Sequence, residues 1–176
     1  ERITNGDGEL YPQCTPDGRW IVYQSGGNYP TLRKMPIDGG EPTVITKTTA
    51  SRPSISPDGK FVAYHYLDSS FERSRWGIGI SSLEDGKRIK RFDFPSTVVE
   101  RLVKWTRDGN GIAFLNSPGG VHNIWIQPID GGAAKPLTDF TSDNIIAFNW
   151  NGDGSQLGVI RAVETSDVLL INRPSK

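Results

Sequence analysis

Four aspartates recur in one setting along this chain: Asp17, Asp58, Asp108 and Asp153 each precede a glycine and, shortly after, an apolar run. Carboxylates are the residue type that acid–base catalysis and hard-cation coordination employ, so the pattern first suggests an acidic site. Comparison of the copies points elsewhere. The fullest is Ser56-Pro57-Asp58-Gly59-Lys60-Phe61-Val62-Ala63-Tyr64; Thr15 to Tyr23 follows it closely, Thr106 to Phe114 lacks the proline, and Asn151 to Val159 keeps only Asp-Gly. What survives in every copy is what a tight turn requires, an Asp to bond the backbone ahead of it and a Gly to accept positive φ.

Other chemistry-bearing residues are sparse. His65 and His122 are the only histidines and Cys14 the only cysteine, which excludes an intrachain disulfide and a cysteine-rich zinc site. Neither histidine has partners at the spacing of a nucleophilic triad or a metal site, and both read as ordinary strand or loop residues. Asn5-Gly6-Asp7-Gly8-Glu9 and Asn151-Gly152-Asp153-Gly154-Ser155 look superficially like calcium loops. An EF-hand loop needs Gly at its sixth place and Glu at its twelfth, where this chain has Leu10 and Pro16, or Gln156 and Ala162. Neither a Gly-x-Ser-x-Gly elbow nor a glycine-rich phosphate loop occurs. The sequence therefore assigns no catalytic residue, no metal ligand and no cofactor.

The chain has 176 residues, with 20 basic and 20 acidic side chains. That balance removes the general positive field by which proteins release counterions from nucleic acid. No apolar run approaches the roughly 18 residues of a membrane span, and Glu1-Arg2-Ile3-Thr4 lacks the layout of a signal peptide. An export signal or anchor would have to lie outside this segment. The 20 glycines and 12 prolines fall at regular punctuation points, which favours many short strands.

The elements that would carry the turns repeat too. The turn aspartates lie 41, 50 and 45 residues apart, a period that points to a blade array. Each repeat reads as four strands. First strands are expected at Tyr11 to Cys14, Arg52 to Ile55, Leu102 to Trp105 and Ala147 to Trp150; second strands at Trp20 to Gln24, Phe61 to Tyr66, Ile112 to Asn116 and Leu157 to Arg161. Third strands are marked by Leu32, Ile78, Ile124 and Val168. After a second glycine-bearing hairpin come polar outer strands at Pro42 to Thr46, Arg88 to Phe92 and Lys135 to Thr138. Trp20, Trp105 and Trp150 are expected to fill the wedges between blades. The cluster Lys87-Arg88-Ile89-Lys90-Arg91 reads as a solvated edge strand rather than a nucleic-acid or lipid patch.

The Ser-Pro-Asp-Gly-Lys-x-hydrophobic-Ala-Tyr signature at Ser56 to Tyr64, with Asn123-Ile124-Trp125 and Ile129-Asp130-Gly131-Gly132 ahead of Pro136-Leu137-Thr138, resembles the TolB-like, WD-repeat-like β-propellers of bacteria. The resemblance covers nearly the whole chain. It implies an all-β fold, a β-propeller of four-stranded antiparallel blades with about four blades in this segment. The blades are expected at about 6–47, 48–92, 93–139 and 140–172, with an added N-terminal strand at 2–5. Three closures fit: a piece of a longer propeller, self-association of two chains into a larger ring, or a small closed ring. The last blade is also similar to propellers at the C-terminus of bacterial serine/threonine kinases and winged-helix regulators, which implies a sensor or interaction module. The family as a whole implies a periplasmic or extracytoplasmic setting.

From turn Asp to third-strand anchor the count is 15, 20, 16 and 15, so the second blade has the longest loop on the face opposite the turns. It follows Tyr66 and runs Asp68-Ser69-Ser70-Phe71-Glu72-Arg73-Ser74-Arg75-Trp76. Aromatic residues and arginines anchor interfaces, and long loops on rigid scaffolds carry function. Tyr66, Phe71, Arg73, Arg75 and Trp76 are therefore the candidate binding residues; the competing reading is an insertion whose Phe71 and Trp76 fold back onto the sheet. The expected role is a non-catalytic module that binds a protein or peptide partner or senses a ligand, without nucleic acid and without membrane contact by this segment. The alternative is an accessory propeller gating substrate access to a prolyl-oligopeptidase-like serine peptidase.

Overall fold

The computed structural model describes residues 4, 8–68, 75–93 and 97–163, except the side chains of Arg75, Glu100 and Arg101. Its strands form successive antiparallel sheets. The first contains β1 (Leu10–Cys14), β2 (Trp20–Gln24), β3 (Leu32–Pro36) and β4 (Thr43–Val44), paired in that order. The second contains β5 (Ala50–Ile55), β6 (Phe61–Asp68), β7 (Arg75–Ser82) and β8 (Arg88–Asp93), and the third β9 (Val98–Trp105), β10 (Gly111–Asn116), β11 (Asn123–Pro128) and β12 (Lys135–Pro136). A two-stranded sheet follows, β13 (Asn144–Trp150) with β14 (Leu157–Ala162). The strand expected at Val168 lies outside the described residues, as does the strand at 2–5 apart from Thr4.

The turns hold their shape as the sequence predicts. Ser56 Oγ donates to Asp58 Oδ1 at 2.6 Å, Asp58 Oδ1 accepts the Lys60 N–H at 3.1 Å, and Phe61 N donates back to Ser56 Oγ at 2.9 Å. Thr106 and Asp108 repeat this with the Asn110 and Gly111 amides, and Thr15 and Asp17 with those of Arg19 and Trp20. In the last copy Asn151 Oδ1 replaces the hydroxyl and accepts from Gln156 N at 3.0 Å. The glycines have φ of 69° at Gly18, 72° at Gly59, 71° at Gly109 and 76° at Gly154, where an L side chain is strained. A hydroxyl donor, from Thr15, Ser56, Thr106 or Ser155, contributes most to holding each aspartate below the usual carboxylate range. Asp58→Ala should lower stability by about 1 kcal/mol in urea unfolding; an unchanged midpoint would reject this role for the carboxylate.

Two outer strands are shorter than expected, and the reason is local. Ile45 N and Thr46 N both donate to Leu32 O, at 2.8 and 3.3 Å, while Leu32 N donates to Thr46 Oγ1 at 2.9 Å. The threonine hydroxyl thereby completes the bridge and ends the ladder after Thr43–Val44. Leu137 and Thr138 do the same at Ile124, with Ile124 N donating to Thr138 Oγ1 at 2.9 Å. The second sheet has Phe92-Asp93 where the others have an apolar residue and Thr, and β8 runs six residues. Strands β6 and β7 are eight residues each, against five for β2 and β3 and six for β10 and β11. The second sheet is thus the longest-stranded of the three.

The core lies between sheets. Period-2 alternation sends Val62, Tyr64 and Tyr66 of β6 toward the first sheet, where they join a cluster with Val22 and Leu32 of that sheet and Ala50 of β5. Ala63 faces the other way and joins Ile78, Ile80, Val103, Trp105, Ile112 and Phe114. From β10, Leu115 and Ala113 pass to a third cluster with Ile124, Ile145 and Phe148. Each fully buried Ile, Leu or Phe in these wedges contributes about 1.5–3 kcal/mol. Trp105 is buried as expected, and its indole N–H donates to Ser54 O at 2.9 Å in the neighbouring inner strand. Trp20 and Trp150 are only half-buried, which corrects the expectation of core for both. Trp20 lines an open cleft between the first two sheets, where the Lys34 ammonium stands 4.9 Å from its ring centre.

Candidate binding site on the second blade

Two glycines prepare this site. Gly77 and Gly79 on β7 stand opposite Tyr66 and Tyr64 on β6, and the two phenol rings lie across the space that side chains would occupy. A Cβ on Gly77 would be 2.6 Å from Tyr66 Cε1 and 2.7 Å from the Phe92 carbonyl oxygen. Strand β8 then closes over the rings. Its register shifts between the partners of Ile80 and Ser81, a bulge that lets residues three apart share a face. Arg88 and Arg91 consequently both reach Tyr66, with guanidinium carbons 5.0 and 5.4 Å from the ring centre.

A polar network completes the arrangement. Tyr66 Oη donates to Asp93 Oδ1. Arg91 bridges Asp93 at 2.8 Å and Asp68 at 2.9 Å, so it ties the outer strand to the end of β6. Arg88 Nε donates to Tyr64 Oη at 3.3 Å and its Nη2 donates to Thr48 Oγ1 at 2.9 Å, while Tyr64 Oη pairs with Ser81 Oγ at 2.9 Å. Burial, then the bond to Asp93, pushes the Tyr66 phenol up. The bond from Arg91 holds the Asp93 carboxyl down, and the same bond holds the Arg91 guanidinium charged.

The sequence candidates divide around this network. Tyr66 is 2% exposed, so it forms the floor of the site and offers no free surface. Trp76 is half-buried and pairs with Leu67; Arg75 pairs with Asp68 at the end of the ladder, its side chain not described. Phe71 and Arg73 lie outside the described residues. Sequence reasoning missed Arg88, Arg91, Asp68 and Asp93 as a unit. The alternation Gly77-x-Gly79 facing Tyr64-x-Tyr66 was a readable signal that aromatic rings cross the sheet there. Lys87 to Arg91 is an exposed edge as expected, but two of its arginines fold inward over Tyr66.

The other singled-out positions resolve differently. His65 is fully buried between β5 and β7, and burial lowers its pKa to about 4. The Leu102 backbone pulls the other way, but neither ring nitrogen completes a hydrogen bond. The His122 amide donates to Asn144 Oδ1 at 2.9 Å. Among the described residues no group of three or more His, Cys, Asp or Glu converges. A cleft of about 370 Å³ between the second and third sheets, lined by Pro57, Phe61, Ile89, Trp105 and Ile129, opens beside the Asp58 and Asp108 turns. Interblade space therefore exists on the turn side too, not only on the opposite face.

Three consecutive four-stranded sheets and a two-stranded fourth, whose inner strands β1, β5, β9 and β13 neighbour one another in order, define a β-propeller. The fold is that of TolB-like propellers. TolB from Acinetobacter baumannii is similar at 25% identity and a TM-score of 0.73, over 92% of this chain and 39% of that one. A putative TolB from Agrobacterium tumefaciens is similar at 16% identity and a TM-score of 0.63, over 88% of this chain and 67% of that one. Dipeptidyl peptidase 4 from Porphyromonas gingivalis, at 13% identity, has a TM-score of 0.63 over 90% of this chain and 30% of that one, a likeness of fold alone. The chain thus spans 39% of the length of the Acinetobacter TolB. No family model and no curated protein matches the sequence.

Proposed function

We propose that this chain is a non-catalytic propeller module that binds a protein or peptide partner through its second blade. One observation carries the reading: the blade with the longest strands is also the one whose loop base is braced. Residues Asp68 and Arg75 pair at the end of the ladder, and Arg91 fastens Asp68 to the outer strand at 2.9 Å. Such bracing fixes the ends of the two strands, Asp68 and Arg75, and a fixed base lowers the ordering cost of binding. Phe71, Arg73 and Trp76 supply aromatic and guanidinium anchors there.

The test is a selection of displayed peptides on the immobilised chain, followed by binding of the recovered peptides to a variant carrying Phe71→Ala, Arg73→Ala and Trp76→Ala. A loss of about tenfold or more with an unchanged melting curve is expected. Equal binding by the triple variant removes the loop from the interface. Peptide hydrolysis by the isolated chain would overturn the non-catalytic part of the reading.

A further inference from the structure

We propose that the cleft between the outer edge of the first blade and the outer hairpin of the second is a binding site for an acidic peptide segment. The cleft has a volume of about 450 Å³ and is lined by Lys47, Thr48, Tyr64, Asp85, Lys87 and Arg88, among others. Three of these carry positive charge and one negative. Asp85 is already committed, since its Oδ1 accepts the Lys87 N–H at 3.0 Å to cap the hairpin.

The two arginines over Tyr66 show why Arg88 stands out. Arg91 is neutralised by two carboxylates, Asp68 at 2.9 Å and Asp93 at 2.8 Å. Arg88 has the same stacking on the ring but pairs with no carboxylate among the described residues. Its neutral partners, Tyr64 Oη and Thr48 Oγ1, fix the fork in place and leave the rest of its donors open. A guanidinium held this way, without its counter-charge, is pre-organised for an incoming carboxylate. Lys47 and Lys87 are exposed on either side and extend the positive strip beyond a single charge.

The occupant follows from charge and shape. The chain as a whole is neutral, with 20 charges of each sign, so this is a local positive feature and not part of a broad polyanion-binding field. Val44, 50% exposed at the rim, adds an apolar contact that a peptide side chain can use. An extended segment bearing Asp or Glu meets both features. The inference rests on the reading of the chain as a partner-binding module, and it names the chemistry of the partner.

The experiment measures fluorescence anisotropy of a labelled poly-glutamate peptide against the wild-type chain, with a poly-glutamine peptide of equal length and a single-stranded oligonucleotide as comparators. The expected result is salt-sensitive binding of the glutamate peptide in preference to both comparators. Arg88→Gln should weaken it about tenfold or more, as loss of a charge-assisted bond does. Because Arg88 also packs on Tyr66, a second variant carries Lys47→Gln and Lys87→Gln at exposed positions and should show a loss of similar size. Lys60→Gln, in a turn outside the cleft, should leave binding unchanged. Equal binding by wild type and both cleft variants overturns the proposal, as does oligonucleotide binding that matches the peptide and falls with the same substitutions. The Phe71, Arg73 and Trp76 triple variant separates the two readings: partner binding that survives it while Arg88→Gln abolishes peptide binding fails the loop alone, and the reverse fails the cleft alone.

Discussion

Replacing Gly77 or Gly79 by alanine should cost the chain about 2–3 kcal/mol each, read as a lower urea midpoint at unchanged m. In most strands the opposite sign is expected, since alanine is favoured over glycine by about 0.5–1 kcal/mol. Here the new methyl has no room. At Gly79 it would lie 2.6 Å from Tyr64 Cζ and 2.8 Å from its hydroxyl, and at Gly77 it would also lie 2.7 Å from the Phe92 carbonyl oxygen. A ring can turn aside, but the carbonyl belongs to the β7–β8 ladder, so Gly77→Ala should be the worse of the two. Gly119→Ala and Gly152→Ala serve as controls, because nothing lies within 4 Å of a Cβ at either position. In a Tyr64→Leu background, which removes the clashing ring atoms, the penalty at Gly79 should largely vanish. A penalty of the same size there would show that the tyrosine is not its cause.

Stability should be flat above about pH 6.5 and fall by up to about 3 kcal/mol as the pH drops toward 4, through His65 alone. The sign follows from the direction of the shift. Burial lowers the folded pKa of His65 from 6.5 to about 4, with the positive charge of Arg52 acting in the same sense. Between those values the unfolded chain binds a proton that the folded chain does not, so acid favours unfolding. The aspartates Asp58, Asp93 and Asp108 are lowered from 3.8, so their contributions persist above that value and are lost only at lower pH. The histidine limb therefore stands apart from them. His65→Leu should remove it without lowering stability at neutral pH, because the ring nitrogens make no hydrogen bond that the leucine would forfeit. An imidazole titrating near 6.5 by NMR, or an unchanged limb in the leucine variant, would overturn this.

The bracing of the second blade shows how far a linear reading reaches. Its long loop was visible as a surplus in the Asp58 to Ile78 spacing, and its outer strand as a polar, basic run. The convergence of Arg88 and Arg91 on Tyr66 was not visible. Residues three apart on a regular strand point to opposite faces, and only the bulge in β8 puts them together. The shortness of β4 and β12 was equally hidden, since it depends on the threonine clamp that ends both ladders.

By itself, the sequence determined the repeat, the hairpin turns and the class of fold, because Asp-Gly turns and period-2 apolar runs act through bonds a few residues apart. Tertiary structure decided which half-polar residues meet across strands and between blades. Tyr66 became floor and not surface, Trp20 stayed half-open beside Lys34, and Arg88 was left fixed and without a carboxylate among the described residues. Each of those outcomes depends on strand register and on the wedge between neighbouring sheets, which bring together residues tens of positions apart and which no local pattern records.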